Sequence, residues 1–281
     1  MNALELINFG AKELRQKKID TSILDSELLL SKTLNKKREE ILINLSQKIS
    51  KKHLLRYKNL LQRRSQKEPI AYILEEKEFW SKFFFVSSDT LIPRPETELM
   101  VEKLIQIFKN KNISILDIGT GSGCILISLL SEIKNCNGVG IDISKKALEI
   151  AKKNAFRHNI KNNIKFFNKP LDSEFNQKFD LIVSNPPYIK SNEIKNLKED
   201  IRQYEPRIAL DGGNDGLDLI KKVIYKTKYI LKIKGLLALE IGNEQNKKVS
   251  KILQKNNFKI EHEIKDYKDN VRCLISTYID N

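Results

Sequence analysis

The sequence predicts an α/β fold, in which a mostly parallel, doubly wound sheet follows a small all-helical domain and a β-hairpin linker. From about residue 113 onward, short apolar strands alternate with helices, as they do in strand–helix–strand units. These strands are continuous apolar runs, which is typical of parallel strands covered on both faces. No helix-forming stretch separates the last two strands, FKIEHEI and VRCLISTYI, so we expect an antiparallel C-terminal strand.

Residues 1–75 form the expected helical domain. One helix face is predicted by apolar residues at helical spacing: Leu4, Ile7, Ala11 and Leu14. This pattern leaves two roles open, the recognition of a partner and the stabilisation of the domain that follows.

Residues 76–94 are expected to form a hairpin and then a stiff linker, because aromatic and β-favouring residues are followed by prolines. Pro95 suits the first turn of the next helix, where a missing backbone N–H is no loss. We expect that helix to end near Phe108, and we assign residues 95–281 to the α/β domain.

The composition argues against several classes of protein. The three cysteines show no CxxC spacing, so we predict no metal site and no disulfide framework, and we expect a cytoplasmic protein. No apolar run approaches the ~20 residues that cross a bilayer. The N-terminal stretch MNALELINFGAKELRQKK contains charged residues, which favours an amphipathic helix over a signal peptide.

The net charge of +15 raises the question of nucleic acid binding. The excess is mostly lysine and is spread along the whole chain. We interpret it as a solvated basic surface, and we do not expect nucleic acid to be a substrate.

A glycine-rich loop, LDIGTGSGC, follows the first strand of the α/β domain and precedes a helix. In α/β sheets this is where ligands bind, and glycine lets them approach the backbone closely. Asp117 ends the strand before the loop, and Asp142 ends the next strand, where a ribose-binding carboxylate is expected. Together these features predict a cofactor that contains adenosine.

A second unusual stretch is VSNPPYIK, which ends the apolar strand FDLIV. Proline fixes φ and lacks a backbone donor, so Pro186 and Pro187 cannot continue a central strand. They can instead hold the amide of Asn185 and the ring of Tyr188 in a fixed geometry.

The loop and the corner resemble the motifs of one enzyme class. The pattern G-x-G-x-G followed by an acidic strand end is similar to motif I of S-adenosylmethionine-dependent methyltransferases, and N-P-P-Y resembles the motif of amino-methyltransferases. The resemblance implies a Rossmann-like class I methyltransferase sheet and S-adenosyl-L-methionine as cofactor. The implied cofactor-binding residues are Gly119, Thr120, Gly121, Ser122, Gly123, Asp142 and Asn185.

The corner suits a planar NH2 group. The Asn185 side-chain oxygen and the Pro186 carbonyl can each accept one N–H, which aims the nitrogen at a methyl group without a base or a metal. Tyr188 can pack on the flat group. We therefore predict catalytic roles for Asn185, Pro186 and Tyr188, and a substrate-binding role for these residues together with Pro187.

Other stretches narrow the resemblance to the HemK/PrmC family. They are EFW (78–80), LIPRPETE (91–98) and EPRIALDGGNDGLD (205–218), together with SNPPYI. This family implies methylation of the glutamine in the Gly-Gly-Gln motif of class 1 peptide-chain release factors, and substrate recognition by the helical domain. Supporting roles fall to Arg94, Pro95, Glu96 and Thr97; a linker ion pair with helix capping is an equal alternative for Arg94 and Glu96.

One stretch departs from the family pattern. An acidic residue followed by an aromatic is expected near adenine, but the chain has Lys169-Pro170, so we expect Phe167 or Leu171 to pack there. Two alternative functions stay open: a DNA or RNA adenine-N6 methyltransferase that uses the same corner on a flipped base, and a non-catalytic binding protein.

Overall fold

The structure is a computed structural model that describes residues 1–279. The chain divides into two compact units, Met1–Glu76 with Lys198–Tyr204, and Lys77–Leu197 with Glu205 onward. From the sequence we expect Lys198–Tyr204 to belong to the α/β domain, whereas in the structure it groups with the helical unit.

The helices in chain order are α1 (Ala3–Gln16), α2 (Ser22–Leu34), α3 (Arg38–Ile43), α4 (Lys51–Ser65), α5 (Ile70–Leu74), α6 (Pro95–Phe108), α7 (Cys124–Glu132), α8 (Lys145–Arg157), α9 (Glu199–Tyr204), α10 (Asp218–Ile230) and α11 (Asn246–Lys255). The strands are β1 (Glu76–Phe79), β2 (Lys82–Phe85), β3 (Ser114–Ile118), β4 (Asn137–Asp142), β5 (Ile164–Asn168), β6 (Phe179–Ser184), β7 (Leu231–Glu240), β8 (Phe258–Lys265) and β9 (Val271–Tyr278).

The helical unit has an apolar core of its own, in which Leu6, Leu14 and Tyr57 are fully buried. The expectation that Leu4 lies on the buried face of α1 is wrong, because this side chain is 45% exposed. The buried face is centred near Leu14, and position 4 lies about a quarter turn away from it around the helix axis.

Within residues 1–279, the second unit is built on a seven-stranded sheet with the order β5-β4-β3-β6-β7-β9-β8. The strands from β5 to β7 pair in parallel, and β9 runs antiparallel to both β7 and β8. This confirms the predicted mostly parallel sheet with an antiparallel C-terminal strand.

Both faces of this sheet are covered by helices. Ile115 and Leu181 belong to the apolar cluster that includes residues of α6 and α7, whereas their chain neighbours Leu116 and Ile182 belong to the cluster with α10 and α11. Successive residues of a strand point to opposite faces, so a strand buried on both sides needs an unbroken apolar run.

The predicted hairpin is also confirmed, because β1 and β2 pair with each other. Trp80 and Ser81 in its turn have φ values of 52° and 53°, the sign that a type I′ turn requires at both central positions. The buried amide of Asn154 in α8 holds β2 in place: it accepts from the Phe85 N–H (2.7 Å) and donates to the Phe85 carbonyl (3.0 Å) and the Ser122 carbonyl (2.8 Å).

The carboxyl ends of the parallel strands meet at one edge of the sheet. Ile118, Asp142, Ser184 and Glu240 are the last residues of β3, β4, β6 and β7. Ligands of open α/β sheets bind beyond this edge. Within the described residues, no helix combines the length and the apolarity that crossing a bilayer requires.

Candidate active site

A pocket opens at this edge of the sheet. Its walls come from the glycine loop, the end of β4, the linker before α6, and the proline corner after β6. Further wall residues are Lys169, Leu171, Pro206 and Ile208. The two sequence motifs, which lie more than sixty residues apart in the chain, therefore line the same pocket.

The glycine loop has a backbone that other residues would strain. Gly119, Gly121 and Gly123 have φ values of 74°, 55° and 81°, the left-handed region that favours glycine. A Cβ on Gly123 would lie 2.9 Å from Ile127 Cδ1, whereas a Cβ on Gly119 would meet no atom within 4 Å. The first glycine leaves open space beside the pocket, and the third allows the helix to pack closely.

Asp142 is oriented by the backbone on either side of it. Its Oδ2 accepts from the Gly121 N–H at 2.9 Å, and its Oδ1 accepts from the Ser144 N–H at 2.8 Å. Each carboxylate oxygen can accept a second hydrogen bond. Asp142 is half-buried and lines the pocket, so its carboxylate can accept hydrogen bonds from two hydroxyl groups of a ligand.

Asp117 lies beneath the loop and is fully buried. Burial raises the pKa of its carboxyl to about 7; the hydrogen bond from the Thr120 hydroxyl acts in the opposite direction, and the charge of Asp142 adds to the increase. The Thr120 Oγ1 donates to Asp117 Oδ2 at 2.7 Å, which ties the centre of the loop to the end of β3.

The proline corner is connected to a second buried carboxyl, that of Glu240. Asn185 Nδ2 donates to Thr97 Oγ1 (3.4 Å), and Thr97 Oγ1 donates to Glu240 Oε2 (2.6 Å). The Tyr188 hydroxyl donates to Glu240 Oε1 at 3.4 Å. Burial raises the pKa of Glu240 to about 7, whereas its hydrogen-bond donors lower it.

The backbone of the corner is braced from behind. Gln245 Nε2 donates to the carbonyls of Tyr188 (3.0 Å) and Gly216 (3.2 Å), and its Oε1 accepts from the Gly242 N–H (2.8 Å). A Cβ on Gly212 would lie 2.8 Å from the Pro187 carbonyl oxygen. The glycines of the DGGNDG stretch therefore let that segment approach the corner closely.

Comparison with known proteins identifies the family. Residues 5–74 match the model of the PrmC N-terminal domain, and residues 95–260 match the methyltransferase small domain. The chain is 45% identical over 248 residues to a release factor glutamine methyltransferase of Buchnera aphidicola subsp. Schizaphis graminum, covering 88% of this chain and 90% of the relative. A relative of the same name from Fusobacterium nucleatum is 38% identical over 279 residues, covering 97% of this chain and 78% of its own length.

The chain belongs to the release factor glutamine methyltransferase family. This confirms the HemK/PrmC resemblance and the expectation of a methyltransferase. The two alternatives, adenine methylation of DNA or RNA and a non-catalytic binding role, gain no support from these relatives.

Solved structures agree on the fold. A ribosomal protein L11 methylase from Lactobacillus delbrueckii subsp. bulgaricus has a TM-score of 0.51 at 20% identity, covering 69% of this chain and 84% of that chain. A methyltransferase from Pyrococcus furiosus has a TM-score of 0.52 at 18% identity, covering 70% of this chain and 89% of that chain. At this level of identity they show the Rossmann-like methyltransferase fold alone.

Most of the site residues that were predicted from the sequence line the pocket. They are Gly119, Thr120, Gly121, Ser122, Asp142, Asn185, Pro186 and Pro187. Gly123 lies behind the loop, where it contacts α7 and α8. The Tyr188 ring packs against the core beside β7, and its hydroxyl faces Glu240; a contact with substrate stays a prediction for this residue.

The region expected to hold adenine is lined by two apolar side chains and one lysine. Leu171 lines the pocket together with Lys169 and Ile143, whereas Phe167 is 40% exposed and is not part of the wall. Of the two side chains expected there, the structure therefore favours Leu171.

Three residues of the site were missed or underrated in the predictions from the sequence. Thr97 was predicted to have only a supporting role, and no role was predicted for Glu240 or Gln245. A charged residue at the end of the apolar strand GLLALE was the available signal for Glu240, since it occupies the same edge as Asp142. Arg94 does form the ion pair considered for it, but its partner is Glu205, at 2.6 Å.

Among residues 1–279, the His, Cys, Asp and Glu side chains form no group of three that could hold a metal ion.

Proposed function

We propose that this chain transfers a methyl group from S-adenosyl-L-methionine to the side-chain amide nitrogen of a glutamine, the one in the Gly-Gly-Gln motif of class 1 peptide-chain release factors. The observation that carries the proposal is that Asn185, Pro186 and Pro187 of the corner and the glycine loop line one pocket. Family membership supports the same substrate, because the curated relatives are named release factor glutamine methyltransferases. Release factors act on cytoplasmic ribosomes, so we place the activity there.

The pocket residues fit the proposed cofactor. Asp142 has lone pairs to spare for two ribose hydroxyls, and the open space beside Gly119 admits a ligand against the backbone. Ile143 and Leu171 offer apolar surface to a purine ring. The bound cofactor would supply an electrophilic methyl group attached to a sulfonium.

The corner supplies the aim. The amide nitrogen of glutamine is a weak nucleophile because its lone pair is delocalised. Acceptance of its two N–H groups by the Asn185 side-chain oxygen and the Pro186 carbonyl would orient the nitrogen and favour a localised lone pair. Positioning of this kind can remove a large part of the barrier to group transfer. The methylated nitrogen would then release one of its N–H protons, which is acidic at that stage, so no strong base is needed.

We further propose that residues 1–75 recognise the release factor. This region matches the PrmC N-terminal domain over residues 5–74 and has its own core.

A chain that starts at Lys77 should bind the cofactor but methylate a release factor poorly. A short Gly-Gly-Gln peptide is the control, since both chains should methylate it at similar rates; full activity of the shortened chain on the release factor would leave residues 1–75 a structural role only. Because the Tyr204 hydroxyl donates to the Gln66 carbonyl at 2.8 Å, the shortened chain must first be shown to be folded.

The central test combines the full chain with S-adenosyl-L-methionine and either a release factor or duplex DNA. Mass spectrometry should find one added methyl group on the glutamine of the Gly-Gly-Gln peptide, and none on a release factor in which that glutamine is replaced by glutamate. Methylated adenine in the DNA sample, with an unmodified release factor, would refute the proposal and support the nucleic acid alternative.

A further inference from the structure

Glu240, Thr97 and Asn185 form a hydrogen-bonded series that we call the orienting relay. We propose that Glu240, acting through the Thr97 hydroxyl, fixes which end of the Asn185 amide faces the substrate. Glu240 and Thr97 are then positioning residues for methyl transfer. The inference rests on the proposed function, in which the Asn185 oxygen accepts the N–H of the target.

The orientation of an amide needs a cause. The oxygen and the NH2 group of asparagine are similar in size, but one is an acceptor and the other carries two donors. If Asn185 turned over by half a rotation, its NH2 group would meet the NH2 group of the target. The corner would then repel the group that it should hold.

Thr97 and Glu240 are buried, so the hydrogen bond between them does not compete with bulk water. Thr97 is 2% exposed and Glu240 is 4% exposed. The bond from Thr97 Oγ1 to Glu240 Oε2 is short, at 2.6 Å, as is usual for a hydroxyl that donates to a carboxylate. Tyr188 donates to the other carboxylate oxygen, and Asn185 also acts as a donor toward this carboxyl.

The direction of each bond follows from the one before it. Above the Glu240 pKa of about 7 the group is ionised and can only accept, so the single hydroxyl hydrogen of Thr97 has to point at Glu240. The Thr97 oxygen can then only accept from its other neighbour. Asn185 therefore presents Nδ2 to Thr97, at 3.4 Å, and its Oδ1 is left for the pocket.

The relay is assembled by three separate elements. Thr97 lies in the first turn of α6, Asn185 follows β6, and Glu240 ends β7. The register of the parallel pair, in which Ser184 lies beside Leu239, brings the residues that follow next to each other. Thus the LIPRPETE motif reaches the acceptor corner through one threonine hydroxyl.

Substitutions at positions 97 and 240 test the relay in the full chain. Thr97→Val removes the hydroxyl at nearly constant volume, and Glu240→Gln places an NH2 donor beside the remaining acceptor oxygen, so that Thr97 is no longer required to donate to position 240. We expect either variant to lower kcat on the release factor by ~10–100-fold, below the ~10²–10³ typical of losing a direct contact. The Kd for the cofactor should stay within about 2-fold of wild type, since the hydrogen bonds of both side chains go to each other and to the proline corner.

Two variants serve as controls. Thr97→Ser keeps the hydroxyl and should keep most of the turnover. Thr227→Val removes another fully buried threonine hydroxyl of the same unit, one that has no hydrogen-bond partner, and should keep both turnover and melting temperature. Wild-type turnover in Thr97→Val would overturn the proposal, as would a parallel loss of cofactor affinity, because that result would assign Thr97 a structural role.

A readout that does not depend on activity separates this inference from the proposed function. With nitrogen-15 in the asparagine side chains, the Asn185 NH2 resonance, assigned by its loss in Asn185→Ala, should shift in Thr97→Val and Glu240→Gln but not in Thr97→Ser or Thr227→Val. An unmoved resonance would overturn the relay even in an active enzyme. A wild-type chain that leaves the release factor unmethylated would refute the proposed function, while the resonance would still report on the relay.

Discussion

The glycine loop and the proline corner lie in one pocket but are held in shape by different means. The loop is shaped by its own backbone, with three glycines at positive φ and anchors on the neighbouring strand β4. The corner has a rigid backbone that Gln245 braces, and its side chains are oriented by Thr97 and Glu240; these three residues come from distant parts of the chain. One region is thus built by local conformation and the other by side-chain hydrogen bonds between separate elements.

This difference predicts a division of labour. Changes in the loop should act on cofactor affinity, because the loop offers close backbone approach and one carboxylate. Changes in the corner should act on turnover, because the corner aims a group that reacts. Variants that cross this division would break the comparison.

The largest effect is expected for Asn185→Ala, which removes one of the two proposed acceptors. Turnover should fall by ~10²–10³, as is typical when one preorganised polar contact is lost, whereas calorimetry should find a cofactor affinity close to wild type. Asn168→Ala is the matched change on the cofactor side, since this amide donates to the Asp142 and Ile143 carbonyls; it should lower affinity slightly and leave turnover intact. Equal turnover of wild type and Asn185→Ala would exclude the acceptor role.

The buried carboxyl beneath the loop should make stability depend on pH. The ordinary pKa of Asp117 is 3.8, and burial raises it to about 7 in the folded state. Between these values the unfolded chain releases the proton that the folded chain keeps, so stability falls as pH rises from about 4 to 7 and is level above that range.

Asp117→Asn isolates this contribution. From pH 4 to 7 the free energy of unfolding of wild type should fall relative to that of the variant by ~2–4 kcal/mol, given 1.36 kcal/mol for each pKa unit. Denaturant unfolding at several pH values measures the difference. Parallel pH profiles for the two proteins would show that the carboxyl is not perturbed.

Asp142→Ala should weaken cofactor binding by roughly 1.5–3 kcal/mol, the range for hydrogen bonds to a charged group. The loop should loosen as well, because the Gly121 and Ser144 N–H groups lose their acceptor. Asp142→Asn keeps one acceptor oxygen, so its cofactor affinity should lie between those of wild type and Asp142→Ala. Calorimetry that finds the same affinity in Asp142→Ala would rule out the ribose contact.

The smallest effect is expected from a pair of loop variants that differ in available space. Gly119→Ala has room for its Cβ, so it should lower the melting temperature only through left-handed strain of ~1–2 kcal/mol; its methyl group would take up space that we propose for the cofactor. Gly123→Ala carries the same strain and also clashes with Ile127, so it should be the less stable of the two. The reverse order of melting temperatures would contradict the account of the loop.

The order of elements could be predicted from the sequence because each depends on local patterns. Pro95 marked the start of α6, and Phe108 its end. The glycine loop could be located because its positive φ values require glycine, whatever surrounds it. Leu4 was misplaced because helical spacing alone does not say where the centre of the buried face lies.

By itself, then, the sequence determined the α/β fold, the family, and the positions of the loop and the corner, since backbone propensities and motifs act over a few residues. Only the tertiary structure decided that Thr97 and Glu240 orient Asn185, and that α9 joins the helical unit. The physical reason is that a hydrogen bond requires its two heavy atoms to lie about 3 Å apart in space, but it sets no limit on how far apart the two residues are along the chain. A partner 88 residues away, as Thr97 is from Asn185, becomes visible only once the strands are in register.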